Sequence, residues 1–318
     1  MYIFTNSIGS YVFDEHIHIK DRIEFSEEDR IKNAFLLSKG EILDSEKKLQ
    51  EAHPKAKKVE DLKILCRILE HFKDNKYDFY DINLNNTKKI ISLSVKEDLL
   101  IIQAVKTIED LDKIANGLCK RLREWYSLYF PESSERIDDN ETFVNTILEK
   151  DKKTLMREYS IELSMGKDLD DFDLNEMIRF AKKVQSIYEE RRSLEEYISK
   201  VMKKICPNMH AISGTNIGAK LIAKAGSIEK MVFMPASTIQ LLGAEEALFR
   251  HIKTGARPPK YGILLQHPIV SKAKKSDKGK VAKAIADKIT IAIKVDFFKG
   301  EFVGDKLKKD LEKRFSQT

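Results

Sequence analysis

The sequence of 318 residues predicts a multidomain α+β protein in three parts. Residues 1–92 read as a small α/β domain, 93–205 as a long antiparallel helical and coiled-coil middle, and 206–318 as a mostly α-helical domain. Three observations carry that division. Apolar residues alternate in the opening stretch, they recur at helical spacing through the middle, and glycines and prolines cut the last third into short helices.

In the opening stretch Tyr2 and Phe4, Tyr11 and Phe13, and Ile17 and Ile19 alternate as strands do, with Asn6-Ser7 and Gly9-Ser10 as turn residues. One helix is expected around Ile31, Ala34, Phe35 and Leu37, and a second around Leu62, Leu65, Cys66, Leu69 and Phe72. A further strand pair is expected at 78–84 and 89–94. His16 and His18 share a strand face that a metal could use, but no further ligand lies nearby in sequence.

From Val95 to Tyr129 one apolar stripe runs through Ile101, Ala104, Ile108, Leu111, Ala115, Leu118, Leu122 and Trp125, and Pro131 breaks the helix. A second helix is expected from Glu141 to Leu163, then an acidic turn at 168–173, then a third helix from Leu174 to Ile205. The third helix steps by threes and fours through Met177, Phe180, Val184, Ile187, Leu194, Ile198, Val201 and Ile205, the pattern of a coiled-coil seam. The second helix is expected to fold back against the third. Self-association through Val184, Ile187, Leu194, Ile198 and Val201 is expected to cover what remains.

Past Pro207, a helix ends at Gly226, Pro235 opens another, and Gly243 separates it from a helix over Ala244–Lys253 closed by Gly255. Leu248 and Phe249 are expected to face the core, with Arg250 and Lys253 on another face. Ile263–Leu265 reads as a strand-like or buried run. Ala282–Phe297 reads as a helix preceded by a loop rich in lysine at 272, 274, 275, 278 and 280.

Composition limits the function classes. No apolar run reaches the roughly 20 residues that span a bilayer, and no signal-peptide pattern opens the chain. Three distant cysteines argue against a disulfide framework or a zinc site. The net charge of +6 divides unevenly: residues 205–318 carry +11 and residues 1–204 carry −5. Such a split points to a polyanionic partner for the last third.

Catalytic motifs are absent. Gly214–Lys220 superficially resembles a phosphate-binding loop, but only three residues separate its glycines and Ala219 intervenes before the lysine. No GxGxxG, HExxH, GxSxG or CxxC element occurs. The distinctive cluster is basic: Arg250, His251 and Lys253 on a short helix, then Arg257, Lys260 and Tyr261 in the following loop. Cations beside an aromatic ring suit RNA backbone and base contacts, although composition alone is equally consistent with a solvated face.

The stretches GAKLIAKAGSIEKMVFMPASTIQLLGAEEALFRHIKTGARPPKYGILLQHPIV and GKVAKAIADKITIAIKVDFFKGEFVGDKLKKDLEKR closely resemble the Nop domain. With the helical middle and the N-terminal domain, the whole chain resembles the archaeal Nop proteins of box C/D ribonucleoproteins. The resemblance implies a non-enzymatic scaffold without a cofactor of its own. Its N-terminal domain would bind fibrillarin, the methyltransferase that holds S-adenosylmethionine, and its coiled coil would form a homodimer. Its Nop domain would clamp a box C/D guide RNA together with a kink-turn-binding ribosomal-type protein.

By resemblance, Gln240, Gly243, Ala244 and Glu245 start the recognition helix. Arg250, His251 and Lys253 form its basic face, and Lys260 and Tyr261 lie on the RNA-facing loop. Where the family commonly reads GAEK this chain has Glu246, which cannot contact a phosphate. The lack of a Lys/Glu-rich tail implies an archaeal-type, cytoplasmic member. A splicing-type Nop factor without a methyltransferase partner is the alternative.

Overall fold

The computed structural model describes residues 1–73 and 78–315, which fall into two compact units, Met1–Lys96 and Glu97–Thr318. The first unit contains β1 (Tyr2–Thr5), β2 (Gly9–Phe13), β3 (Ile19–Glu24), α1 (Glu27–Ser38), α2 (Asp44–Ala52), β4 (Lys57–Lys58), α3 (Leu62–Lys73) and α4 (Phe79–Ser94). The four strands form one sheet in the order β3-β2-β1-β4. Strands β1 and β2 pair antiparallel, with Tyr2 opposite Phe13 and Phe4 opposite Tyr11. The alternation therefore separates two faces. Tyr11 and Phe13 pack with Ile68 and Phe72 of α3, while Ile3 and Val12 pack with Leu49 of α2.

Three sequence expectations change here. Gly9 and Ser10 belong to β2, and the turn is made by Asn6, whose side chain accepts the Ile8 and Gly9 N–H groups. Ile17 lies in a left-handed turn at φ 67°, where Asp14 accepts the His16 and His18 N–H groups. The expected strand pair at 78–84 and 89–94 is instead the single helix α4. Asp78 caps it by accepting the Asp81 N–H, and α4 packs against α1, so a side-chain cap and tertiary contact override the local alternation.

In the second unit, α5 (Glu97–Tyr126) and α9 (Asp171–Ile205) run antiparallel along one another. Ion pairs fix the register: Glu97 meets Lys204 and Asp112 meets Arg191, while the Trp125 and Phe180 rings lie 6.2 Å apart. The expected second helix is two, α7 (Asn140–Glu149) and α8 (Lys152–Glu158), after the short α6 (Glu132–Arg136). Lys150 is extended and Asp151 starts α8 by accepting the Thr154 N–H, which ends the helix expected to reach Leu163. Helix α7 does pack on α9, but the main partner of α9 is α5.

The seam residues are consumed within the chain. Val184 is wholly buried in the core shared with α5 and α7, and Ile187 packs on it. Ile198 is buried in the C-terminal core, with Leu194 and Val201 packed against that core.

The C-terminal part holds α10 (Pro207–Ala225), α11 (Ile228–Phe233), α12 (Ala236–Leu241), α13 (Glu245–Thr254), a 3-10 turn at Ile263–Gln266, α14 (Pro268–Lys272), α15 (Lys278–Phe297) and α16 (Gly304–Phe315). The run at 263–265 is thus a 3-10 turn, not a strand. Its Leu264 is buried, which explains the apolar signal. Helix α15 is central, with Ile285, Ile289 and Ile293 wholly buried and α10, α11, α12, α14 and α16 packed around it. Its Asp296 accepts the N–H groups of Asn208 (3.0 Å) and Met209 (2.9 Å), capping α10 from another helix. Among the described residues no helix is long and apolar enough to cross a membrane.

Candidate nucleic-acid interface

The basic cluster of the sequence maps to α13 and the loop after it, mounted on α12 and the start of α15. The mounting depends on one carboxamide and two glycines. Gln240 Nε2 donates to the Lys260 carbonyl (2.6 Å) and the Gly279 carbonyl (3.4 Å), joining α12, the loop and α15. The Gln240 and Leu242 carbonyls accept the Gly262 and Ile263 N–H groups at 3.0 and 2.8 Å. A Cβ at Gly262 would lie 1.9 Å from the Leu242 oxygen, so only glycine permits this approach. Gly243 has φ 86°, and a Cβ there would lie 2.6 Å from Ile263 Cγ1.

Ala244 is the N-cap residue of α13 without a capping side chain. Glu245 reaches back instead, accepting the Gly243 N–H at 2.7 Å, with Lys224 3.9 Å away. Partial burial pushes the Glu245 carboxyl up, but the Gly243 N–H, its own N–H and Lys224 outweigh it and hold the pKa below the usual value. His251 is half-buried, and its Nδ1 makes a short hydrogen bond to the Ala256 carbonyl, folding the loop back on the helix. Gly255 ends the helix in the left-handed conformation, at φ 66°.

Gln240, Gly243, Glu245 and His251 thus have visible work inside the protein, shaping the platform. Arg250, Lys253, Arg257 and Lys260 are exposed and form no ion pair with another described residue. Tyr261 is half-buried and packs against the module core, which restricts its ring as a stacking surface.

Phe249 differs from expectation. It is 63% exposed, and Ile252 is 69% exposed. No residue of α13 is buried, and only Glu245, Leu248 and His251 of the helix are half-buried. Phe249 and Ile252 therefore share the outward side with Arg250 and Lys253. The sequence reading missed this because apolar residues on a helix ordinarily mark the packed side. The shortness of the helix and the glycines at both ends were the available signals.

The lysine-rich stretch adjoins the site. The aliphatic stem of Lys260 lies over Gly279, at the first turn of α15 between Lys278 and Lys280. Lys280 pairs with Asp277 at 3.6 Å, while Lys272, Lys274 and Lys275 are exposed. Elsewhere, residues 215–225 are helical, so the glycine-containing stretch at 214–220 is no phosphate-binding loop. Among the described residues no group of three metal-ligating side chains occurs, and the His16 and His18 rings stand 6.4 Å apart.

Comparison with known proteins places these features in a family. Residues 107–317 match the Nop family model, described as "snoRNA binding domain, fibrillarin". An uncharacterized NOP5 family protein of Methanocaldococcus jannaschii is 39% identical over 248 residues, covering 73% of this chain and 60% of its own length. Nucleolar protein 56 of Dictyostelium discoideum is 40% identical over 224 residues, covering 64% of this chain and 41% of its own. The human nucleolar protein 56 is 35% identical over 242 residues, at 69% and 41%. A chain of a crystal structure of a fibrillarin/Nop5p complex aligns over 99% of both chains, at 24% identity and a TM-score of 0.46. This chain thus spans between 41% and 60% of the length of the curated relatives named here.

Proposed function

The chain belongs to the Nop family, and on that premise we propose that it is a non-catalytic scaffold of a box C/D ribonucleoprotein. In this reading the C-terminal part holds a box C/D guide RNA through its kink-turn and the protein bound there. The N-terminal unit holds fibrillarin, which supplies S-adenosylmethionine and the chemistry of guide-directed 2′-O-methylation. Two copies of the scaffold pair, which gives each particle two methyltransferases.

The single observation that carries this reading is the outward side of α13. Arg250 and Lys253 supply exposed cations there, and Phe249 and Ile252 supply exposed apolar surface beside them. A bare phosphate backbone rewards the cations alone. A surface made jointly by RNA and a bound protein rewards both, since the protein component can bury the apolar side chains. The rigid mounting by Gln240, Gly243 and Gly262 fits such a composite target, because a preformed platform loses little entropy on binding.

The test is assembly of Arg250→Ala on a kink-turn RNA already carrying its partner protein. Loss of one charge-assisted contact is expected to weaken assembly by about 2 kcal/mol. It should also lower the slope of affinity against salt by about one charge. Unchanged assembly at matched salt contradicts the reading. A splicing-type factor would share the RNA surface without the methyltransferase, and failure of residues 1–318 to co-purify with fibrillarin would favour it.

A further inference from the structure

Helix α15 separates two exposed surfaces of the second unit. Its first turn carries Gly279 beneath Lys260, in the loop that follows α13, and the helix runs 20 residues to Phe297, about 30 Å away. Past that far end the chain turns through residues 298–303 into α16. The turn shows two bare rings, Phe298 at 68% exposed and Phe302 at 56%.

Neither ring hangs on a loose connection. The Lys299 and Gly300 N–H groups donate to the Asp296 and Val295 carbonyls at 3.2 and 2.8 Å, with Lys299 left-handed at φ 55°. The Val303 N–H donates at 2.6 Å to Oδ1 of the buried Asn208, whose own amide donates to Asp296 at 2.8 Å. Gly304 lies so close to α10 that a Cβ would stand 2.7 Å from Ala211 Cβ. Phe298 meets Phe297 edge-on at 5.2 Å, and Phe297 packs on the core. The rings are therefore held in place while most of their surface meets water, which the hydrophobic effect disfavours.

Charge decides what such a surface receives. Lys203, Lys299, Lys306 and Lys308 are exposed around the turn and form no ion pair with another described residue, against Glu301 and Asp305. Two neighbouring acids, Glu97 and Asp310, are already paired with Lys204 and Lys288. Burial depresses the pKa of His210, and Lys203 and Lys308 add to it, which sets both cations beside the start of α10. Lysine is depleted at protein–protein interfaces. Rings beside cations suit unpaired nucleotides, whose bases stack on the rings and whose phosphates meet the lysines.

We propose that residues 298–303, with Lys203 and Lys308, bind an unpaired RNA strand whose bases stack on Phe298 and Phe302. This site lies apart from the α13 platform and rests, from the proposed function, only on RNA being a partner.

Fluorescence anisotropy of the full chain with a labelled, short single-stranded oligoadenylate tests the proposal. The parent is expected to bind, and Phe298→Ala/Phe302→Ala to bind at least tenfold more weakly. Its thermal melt should match the parent, since both positions are exposed. Phe298→Trp/Phe302→Trp should retain binding, because an indole stacks as a phenyl does. Lys299→Ala/Lys308→Ala should lower the slope of log affinity against log salt by about 1.4. Arg250→Ala/Lys253→Ala should leave oligoadenylate binding unchanged, and Phe298→Ala/Phe302→Ala should leave assembly on kink-turn RNA unchanged. A parent that does not bind, or a Phe298→Ala/Phe302→Ala variant that binds as tightly, overturns the inference and leaves the kink-turn reading standing. Binding lost in Arg250→Ala/Lys253→Ala puts the strand on α13 and overturns it as well.

Discussion

Helices α13 and α15 lie in the same unit of one chain and treat their side chains in opposite ways. Helix α15 buries Ile285, Ile289 and Ile293 completely under five other helices. Helix α13 buries nothing and turns Phe249, Arg250, Ile252 and Lys253 outward. Both helices mix apolar residues with lysine, so composition does not separate them. Their surroundings do. A side chain on α15 serves the fold, and one on the outer side of α13 is free to serve assembly.

The sharpest way to test that contrast is on α15. Ile289→Ala should destabilise the second unit by about 4 kcal/mol, since it empties a fully enclosed site. Denaturant unfolding checks it, and a loss below about 1 kcal/mol would mean that α15 is not the centre of the core. Next comes the mounting. Gly243→Ala combines a left-handed φ with a clash against Ile263 and should lower stability by about 2 kcal/mol. Because the clash also shifts the platform, it should weaken assembly on kink-turn RNA with its bound protein, which a gel-shift titration reads. Normal assembly would show that the platform geometry is immaterial.

The smallest effect is a pH dependence on the core side. His267 is buried, with Nε2 3.0 Å from the Ile212 carbonyl. Burial depresses its pKa below the usual 6.5, the Ile212 carbonyl opposes this, and Lys308 adds to the depression. Burial likewise depresses His210, helped by Lys203 and Lys308. Both rings are held neutral in the fold, so their contribution is full above about 6.5. It declines as pH falls from there toward the folded-state values, because the unfolded chain binds protons first. Thermal melts between pH 7 and 5 should therefore fall on acidification, and less steeply for His267→Gln. An identical acid limb in that variant would remove His267 from the account.

Much of this was legible in the sequence, but unevenly. The stripes from Ile101 to Trp125 and from Met177 to Ile205 identified α5 and α9, because long amphipathic periods are set by the core they face. Their partner was not legible. The seam on α9 reads identically whether α5, α7 or a second copy covers it. Local chemistry outside the pattern caused the other misses. Asp78 caps a helix where alternation suggested strands, and Asp151 divides α7 from α8. The glycine and proline punctuation marked the limits of α13. It gave no hint that Gln240 would turn inward, since hydrogen bonds between segments 20 or more residues apart leave no local signal.

The account rests on α13 being a surface for assembly and not for folding. The direct measurement pairs a thermal melt of Arg250→Ala/Lys253→Ala with its assembly, at matched salt, on kink-turn RNA carrying the bound protein. The predicted result is a melt within about 0.5 kcal/mol of the parent and assembly weakened at least tenfold. An unchanged melt with undiminished assembly would contradict the account.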